Sequence, residues 1–326
     1  MRSSFILSLC VCGAIAIPIV GCGTVADHDP DQVDPLSVVL ECQSTEDCDD
    51  DNECTGETCA DGVCEYAVVQ DGVCAPPADP FPCTERGIRD AITEGGGPHF
   101  FACDGPTTVV TEKEIQIDND VILDGEGKLR VDGDDTHRVF SVPAGVTAEL
   151  RGVTVLRGVE IGERGVFDTG AAIRNSGTLA LTDSFVVDSA FGRFGYGAVG
   201  NDGDMTMTRS TVAWNRHGGI INGGALTLVD SQVTGNTGTA ISTYAGTLVL
   251  VDTAVWGTDE GGALSAFDGA VTCFNTQIVG SCAIGSGTTN MRSMGDNVES
   301  PGDTCGFTDE TDVAGVADIW AYLMER

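Results

Sequence analysis

The 326-residue chain carries 50 Asp and Glu against 16 Lys and Arg, a formal net charge of −34, and 44 glycines, about twice average usage. So few cations cannot build the basic stripe that a nucleic acid requires, and with 41% hydrophobic residues the chain is not a disordered tail. The glycines follow no period of three, which excludes a collagen and leaves one sizeable domain with a small Cys-rich module in an acidic shell.

At the start of the chain, Arg2 precedes an apolar stretch from Phe5 to Ile17; Pro18 interrupts it and Ile19-Val20-Gly21-Cys22 follows. One positive charge, a short apolar core and small residues at a cut site read as a secretory signal over residues 1–21. The apolar run falls short of the ~20 residues that span a bilayer. The ending Ile19-Val20-Gly21-Cys22 resembles a bacterial lipoprotein box. That resemblance implies cleavage before Cys22 and lipidation of its thiol and amine. With Gly23 rather than Asp next, it also implies an outer-membrane or cell-surface address. The alternative is an ordinary signal peptide that contains a Cys. Loss of the signal removes Arg2 and takes the charge from −34 to −35. Residues 22–41 hold Asp27, Asp29, Asp31 and Asp34 beside Pro30 and Pro35, without apolar period, and read as a flexible acidic tether.

Cys10 and Cys12 leave with the signal. Cys42, Cys48, Cys54, Cys59, Cys64 and Cys74 form a dense even cluster that marks residues 42–82 of an exported chain as a disulfide-rich module, its connectivity open. Zinc is the competing reading, but the cluster has neither a C-x-x-C pair nor a His. The segment from Asp47 to Thr55, with Cys59, Cys64 and Cys74 after it, resembles a short Cys-rich repeat of bacterial and slime-mould surface proteins, which implies a spacer rather than an enzyme. Asp47, Asp49, Asp51 and Asn52 are candidate Ca²⁺ ligands, weighed against a solvated acidic loop, and their spacing is not that of an EF-hand. Cys83 and Cys103 flank the opening of the next domain, residues 83–326, and are expected to pair. Of Cys273, Cys282 and Cys305, two should pair and one is left over.

From residue 170 to 285 the chain repeats itself. Centres recur at Asp183-Ser184, Arg209-Ser210, Asp230-Ser231, Asp252-Thr253 and Asn275-Thr276, at intervals of 26, 21, 22 and 23 residues. Five residues before the second member of each stand Leu179, Met205, Leu226, Leu248 and Val271. Three before stand Leu181, Met207, Leu228, Leu250 and Cys273, and two after stand Val186, Val212, Val233, Val255 and Ile278. Apolar columns two apart mean strands with alternating faces, where a helix would need three or four. Gly177, Gly203, Gly224, Gly246 and Gly269 mark a corner before each strand. Short strands, fixed corners and a period near 22 describe the coils of a parallel β-solenoid, stacked ~4.8 Å apart. Like residues then stack. Asn175, Asn201 and Asn222 are expected to form an amide ladder that satisfies the corner backbone, with Tyr244 and Phe267 continuing it as rings. The surplus glycine is expected at corners, where positive φ and close stacking require it. Ala148, Leu150 and Val155, with Val153 at the centre, extend the register upstream. Residues 121–125, 129–131 and 139–142 supply earlier coils, and residues 157–167 and 191–196 read as insertions.

The segment Cys83-Thr-Glu-Arg-Gly-Ile-Arg-Asp-Ala-Ile92 resembles the Cys-Ser-Leu-Arg-Glu-Ala-Ile motif that opens many bacterial β-helix surface proteins, with Gly87 interrupting it. Residues 121–125, Arg138 to Phe140, Leu150 to Val155 and Gly170 to Leu179 are similar to the same family. The resemblance covers about residues 83–290 and implies a right-handed, pectate-lyase-like parallel β-helix of adhesive or unknown role. Open coil ends need covers. Thr84 is the expected N-cap of a short helix burying Ile88, Ala91 and Ile92, and Thr311 that of a closing helix with Val313, Val316, Ile319, Trp320 and Leu323 on one face.

The β-helix fold hosts polysaccharide lyases and hydrolases, but fold does not decide function. Cations in the repeats concentrate at Arg193 and at Arg216 and His217, beside Trp214. Asp188 and Trp214 each follow their centre by four residues, so Asp188, Arg216 and His217 should meet on one loop-bearing face. An aromatic ring, a guanidinium and an imidazole suit stacking on a sugar, and an acidic sugar in particular. The candidate binding set is therefore Arg193, Trp214, Arg216 and His217. A lyase would need Ca²⁺ and a basic side chain, and Asp188, Arg216 and His217 are its candidates. Asp134-Asp135 lacks the Arg-x-Lys partner of a polygalacturonase. The plainer alternative makes Arg216 and His217 a polar corner. The reading overall is a non-catalytic surface lipoprotein that needs no cofactor beyond, at most, Ca²⁺. It would be anchored to the membrane by its N-terminal lipid and bind polysaccharide or another surface protein, not nucleic acid. The alternative is a polysaccharide lyase.

Overall fold

A computed structural model describes residues 55–60, 63–68, 79–160, 169–191, 197–258, 261–285, 289–316, 319 and 322. The signal segment, the tether, Cys22, Cys42, Cys48, Cys54, Cys74, the Ca²⁺ candidates Asp47, Asp49 and Asp51, and Arg193 lie outside the described residues. The chain divides into two units, Met1–Pro76 and Pro77–Arg326. The first contains an antiparallel hairpin, Thr55–Ala60 with Val63–Val68, in which Cys59 stands opposite Cys64.

The second unit is a parallel β-solenoid of about nine turns. Each turn runs through three sheets. In one representative turn the first-sheet strand is Thr178–Thr182, the second Phe185–Val187 and the third Val199–Asn201; Asp204–Thr208 then begins the next turn. Two long strands, Val121–Asp132 and Thr147–Leu156, bend from the first sheet into the second, and a register shift between Asp124 and Leu129 absorbs the extra residues of the earlier one. The third sheet stacks eight strands.

The register is the one set by the apolar columns. Leu179 pairs with Met205, Met205 with Leu226, Leu226 with Leu248 and Leu248 with Val271. The columns of Leu181 and Val186 stack in the same way, and every member is buried. Polar ladders line the corners from inside. Ser184, Ser210, Ser231, Thr253 and Thr276 are all buried, and the Ser210 hydroxyl oxygen accepts from the Ser184 N–H (3.1 Å) while donating to a strand-end carbonyl. Asn175 donates to Asn201 (2.7 Å), Asn201 to Asn222 (2.8 Å) and Asn222 to Thr243 (3.0 Å).

That last contact corrects one expectation. The amide ladder continues through Thr243, not through Tyr244, because the inward-facing position falls one residue earlier in that coil. Tyr244 and Phe267 stack on the outside, 48% and 46% exposed.

Both ends are closed. The helix Glu85–Glu94 is capped by Thr84, whose hydroxyl accepts from the Gly87 N–H, and it buries Gly87, Ile88, Ala91 and Ile92. Gly87 interrupts the opening motif for a steric reason: a Cβ there would lie 2.0 Å from the Pro82 carbonyl oxygen. Cys83 and Cys103 are joined in a disulfide. At the far end Cys282 pairs with Cys305, leaving Cys273 free and buried. The closing segment departs from expectation at its start. Thr311 does not cap a helix. Its N–H and hydroxyl bond Asp309, and Val313 is extended, bridging Val298 in parallel so that the last turn gains a partial further rung. Ile319, in helical geometry beyond it, is buried, while Trp320 and Leu323 lie outside the described residues.

Candidate functional site

The corner between the second and third sheets carries the candidate residues. Four rungs stack there with Arg157, Asp188, Trp214 and Gly235 in one column, all left-handed, with φ of 48°, 51°, 56° and 63°. The next residue turns inward. Ser189, Asn215 and Asn236 are buried, Asn215 Oδ1 accepts from the Ser189 N–H (2.9 Å), and Asn236 Oδ1 accepts from the Asn215 N–H (3.0 Å). This second Asn ladder escaped the sequence reading, although Ser189, Asn215 and Asn236 all stand five after their centres. It fixes the backbone from which the outer side chains project.

Trp214 is 47% exposed, and its indole leans across the next rung, where a Cβ on Gly235 would lie 2.9 Å from Cδ1. Arg216 and His217 are exposed beside it. Arg216 bridges Ala190 of the preceding rung and its N–H bonds the Ser189 carbonyl (2.8 Å); His217 is left-handed (φ 70°), and its N–H bonds Thr237 Oγ1 (3.1 Å). Asp188 is thus one rung from Trp214 and within electrostatic reach of Arg216. Burial pushes its carboxyl above the ordinary aspartate value and Asp135 adds to the rise, while Arg216 and Arg157 oppose it.

An ion pair that the sequence reading missed bounds this corner. Asp132, its side chain 2% exposed, holds the Arg157 guanidinium through Nε and Nη2. Asp132 Oδ1 also accepts from the Asp134 N–H (2.8 Å), which aims the Asp134-Asp135 turn at the same face. The pair joins residues on successive rungs, and only knowledge of the register could have found it. The corner therefore combines one exposed indole, the Arg216 guanidinium, the His217 imidazole, and carboxylates at Asp134, Asp135 and Asp188.

Elsewhere, an open groove of about 530 Å³ runs along the outside of the first sheet near its N-terminal end, lined by Gly96, Asp120, Glu149, Thr178, Asp204 and Thr206. Two of its carboxylates are engaged, Asp120 by the Thr147 N–H and Glu149 by Arg151. Among the described residues, Cys282, Glu299 and Cys305 form a close group of metal-ligating types. The two sulfurs are joined to each other, however, and the Glu299 carboxylate takes hydrogen bonds from the Thr304 N–H, the Thr304 hydroxyl and the Cys305 N–H. That group is a structural staple. In comparisons with known proteins, the chain matches no family model, no curated protein and no solved structure.

Proposed function

We infer that this is an exported surface lipoprotein, anchored through Cys22, whose pectate-lyase-like solenoid binds acidic glycan at the Trp214–Arg216–His217 corner without turning it over. The observation that carries the reading is the exposed indole held beside Arg216 and His217 on a chain of net charge −34. An exposed Trp offers a sugar-stacking face, and a guanidinium offers a forked partner for a carboxylate. The tether and the Cys-rich module would set this surface away from the membrane.

The test is retention of the full chain on an array of acidic polysaccharides, with Trp214→Ala and Arg216→Ala each abolishing retention. Cys22→Ala should release the protein from membranes, and unchanged membrane association would remove the anchor from the reading. The raised carboxyl of Asp188 beside Arg216 favours a second reading, a polysaccharide lyase using Asp188, Arg216 and His217. Incubation with polyuronate and Ca²⁺ separates the two. Unsaturated product that disappears in Arg216→Ala would replace binding by catalysis, and retention without product leaves the binding reading standing.

A further inference from the structure

A second feature is the open groove on the outside of the first sheet. It crosses five successive rungs, from Gly96 and Gly97 at one end to Asp204 and Thr206 at the other. The register sets its direction along the solenoid axis. Asp120 Oδ1 accepts from the Thr147 N–H on the next rung (2.7 Å), Thr147 pairs with Thr178, and Thr178 pairs with Asp204. One outer column therefore reads Asp120, Thr147, Thr178, Asp204. At ~4.8 Å per rung, its two carboxylates stand about 14 Å apart. Both residues are exposed, and neither forms an ion pair among the described residues.

The stretch between them carries no free charge. In the neighbouring column Ile122, Glu149 and Ala180 stack, so an alkyl chain and a methyl group face outward on either side of Glu149. Arg151 holds both oxygens of Glu149 (2.6 and 3.0 Å). No Lys, Arg or His lines the groove. Two unpaired carboxylates joined by an apolar floor complement an aliphatic chain with a cation at each end, its stem on apolar surface and its heads in water. We propose that this groove binds a linear polyamine along the solenoid axis, with one terminal ammonium on Asp120, the other on Asp204 and the methylenes over Ile122 and Ala180. A short diamine reaches one carboxylate, whereas a longer one holds both, the second contact being intramolecular. The site therefore selects length, and not charge alone as the acidic surface of a −34 chain would. It stands independently of the glycan reading of the Trp214 corner.

The experiment is calorimetric titration of the full chain with spermine, decamethylenediamine, putrescine and magnesium chloride, at ~0.15 M NaCl, where exposed charges more than ~8 Å apart are largely screened. Decamethylenediamine and putrescine carry the same charge, and the longer should bind about tenfold tighter or more. Asp120→Asn, which keeps an acceptor for the Thr147 N–H, and Asp204→Asn should each weaken spermine by roughly threefold to fivefold. Ala180→Arg, which sets a bulky cation on the floor, should abolish binding, with circular dichroism confirming the fold; the two conservative variants decide the matter if it does not fold. Asp230→Asn, outside the groove, and Trp214→Ala should change nothing, the latter separating this site from the glycan corner. Absence of spermine binding overturns the proposal. So does equal affinity for the two diamines, displacement of spermine by equimolar magnesium, or a loss in Asp230→Asn as large as in Asp204→Asn, each of which would mean general condensation on the acidic surface.

Discussion

Asp183, Arg209, Asp230, Asp252 and Asn275 stack at the corner between the first and second sheets, all left-handed, with φ between 46° and 49°. Glycine would adopt that conformation without strain, whereas an L-residue gives up about 1–2 kcal/mol, least for Asp and Asn. The glycines sit instead at the corner before the first sheet. There Gly203, Gly224, Gly246 and Gly269 each back onto the carbonyl of the preceding turn, with a would-be Cβ 2.0–2.4 Å from its oxygen. In those four, close stacking alone requires glycine, so the expectation that corner glycines also serve positive φ holds elsewhere, as at Gly152 and Gly235. Asp230→Val, which puts a β-branched residue into the left-handed column, should lower unfolding free energy by ~1–2 kcal/mol. Asp230→Asn should stay within ~0.5 kcal/mol; equal losses in a urea titration would remove backbone conformation as the cause. The raised carboxyl of Asp188 gives a pH-dependent counterpart. A carboxyl raised in the folded state binds more protons there than in the unfolded chain, so stability falls as pH rises from ~4 through the raised value. Asp188→Asn should therefore raise Tm at neutral pH and lose that advantage below pH ~4; a gain of the same size at both pH values would show that ionisation is not responsible.

The apolar columns made the first- and second-sheet strands of the repeats visible in the sequence, because inward positions recur at a fixed offset from each centre and a one-residue slip would turn them outward; the short third-sheet strands, such as Val199–Asn201, lie outside those columns and read as corners. Cap Thr84 was legible for the same local reason, a hydroxyl before an amphipathic turn. Stacking of like residues was legible too, as in the Asn175–Asn201–Asn222 ladder, but contacts whose register shifts with loop length were not. The Asp132–Arg157 pair, the continuation of the Asn ladder into Thr243 and the pairing of Cys282 with Cys305 all depend on how many residues each loop takes up before the next rung begins. The Asn ladder itself is an element whose worth can be measured. Asn201 accepts from Asn175 and donates to Asn222 and to the Ala225 carbonyl, all in a buried corner. Asn201→Leu removes all three contacts and leaves buried partners unsatisfied at about 1–3 kcal/mol each. Unfolding free energy should fall by ~2–4 kcal/mol, with amide exchange accelerated first in the rungs of Asn175 and Asn222. A loss under ~0.5 kcal/mol would mean that the ladder is not a source of stability.

Across the whole molecule, a solenoid exchanges contacts only between neighbouring turns, so its stability accumulates rung by rung and its ends are the weak points. Disulfides close both ends, Cys83–Cys103 beside the opening helix and Cys282–Cys305 beside the closing strand, while the central turns rely on packing and polar ladders. What opposes the stack is charge. Stacking places like residues a rung apart, as with Asp230 and Asp252, and the chain as a whole carries −34. Favourable pairs exist, but Arg209–Asp183 and Lys128–Glu126 are exposed and contribute little, and the buried Asp132 bond to Arg157 is only weakly screened by salt. Repulsion should therefore dominate the salt response. Raising ionic strength from ~0.01 M to ~1 M shortens the screening length from about 30 Å to 3 Å, and Tm at neutral pH should rise by a few degrees, equivalent to roughly 1–2 kcal/mol. The rise should shrink as pH falls and carboxylates protonate, because the repulsion being screened disappears with them. A Tm that drops with added NaCl at neutral pH would mean that attractive surface pairs, not the acidic coat, govern the stability of the stack.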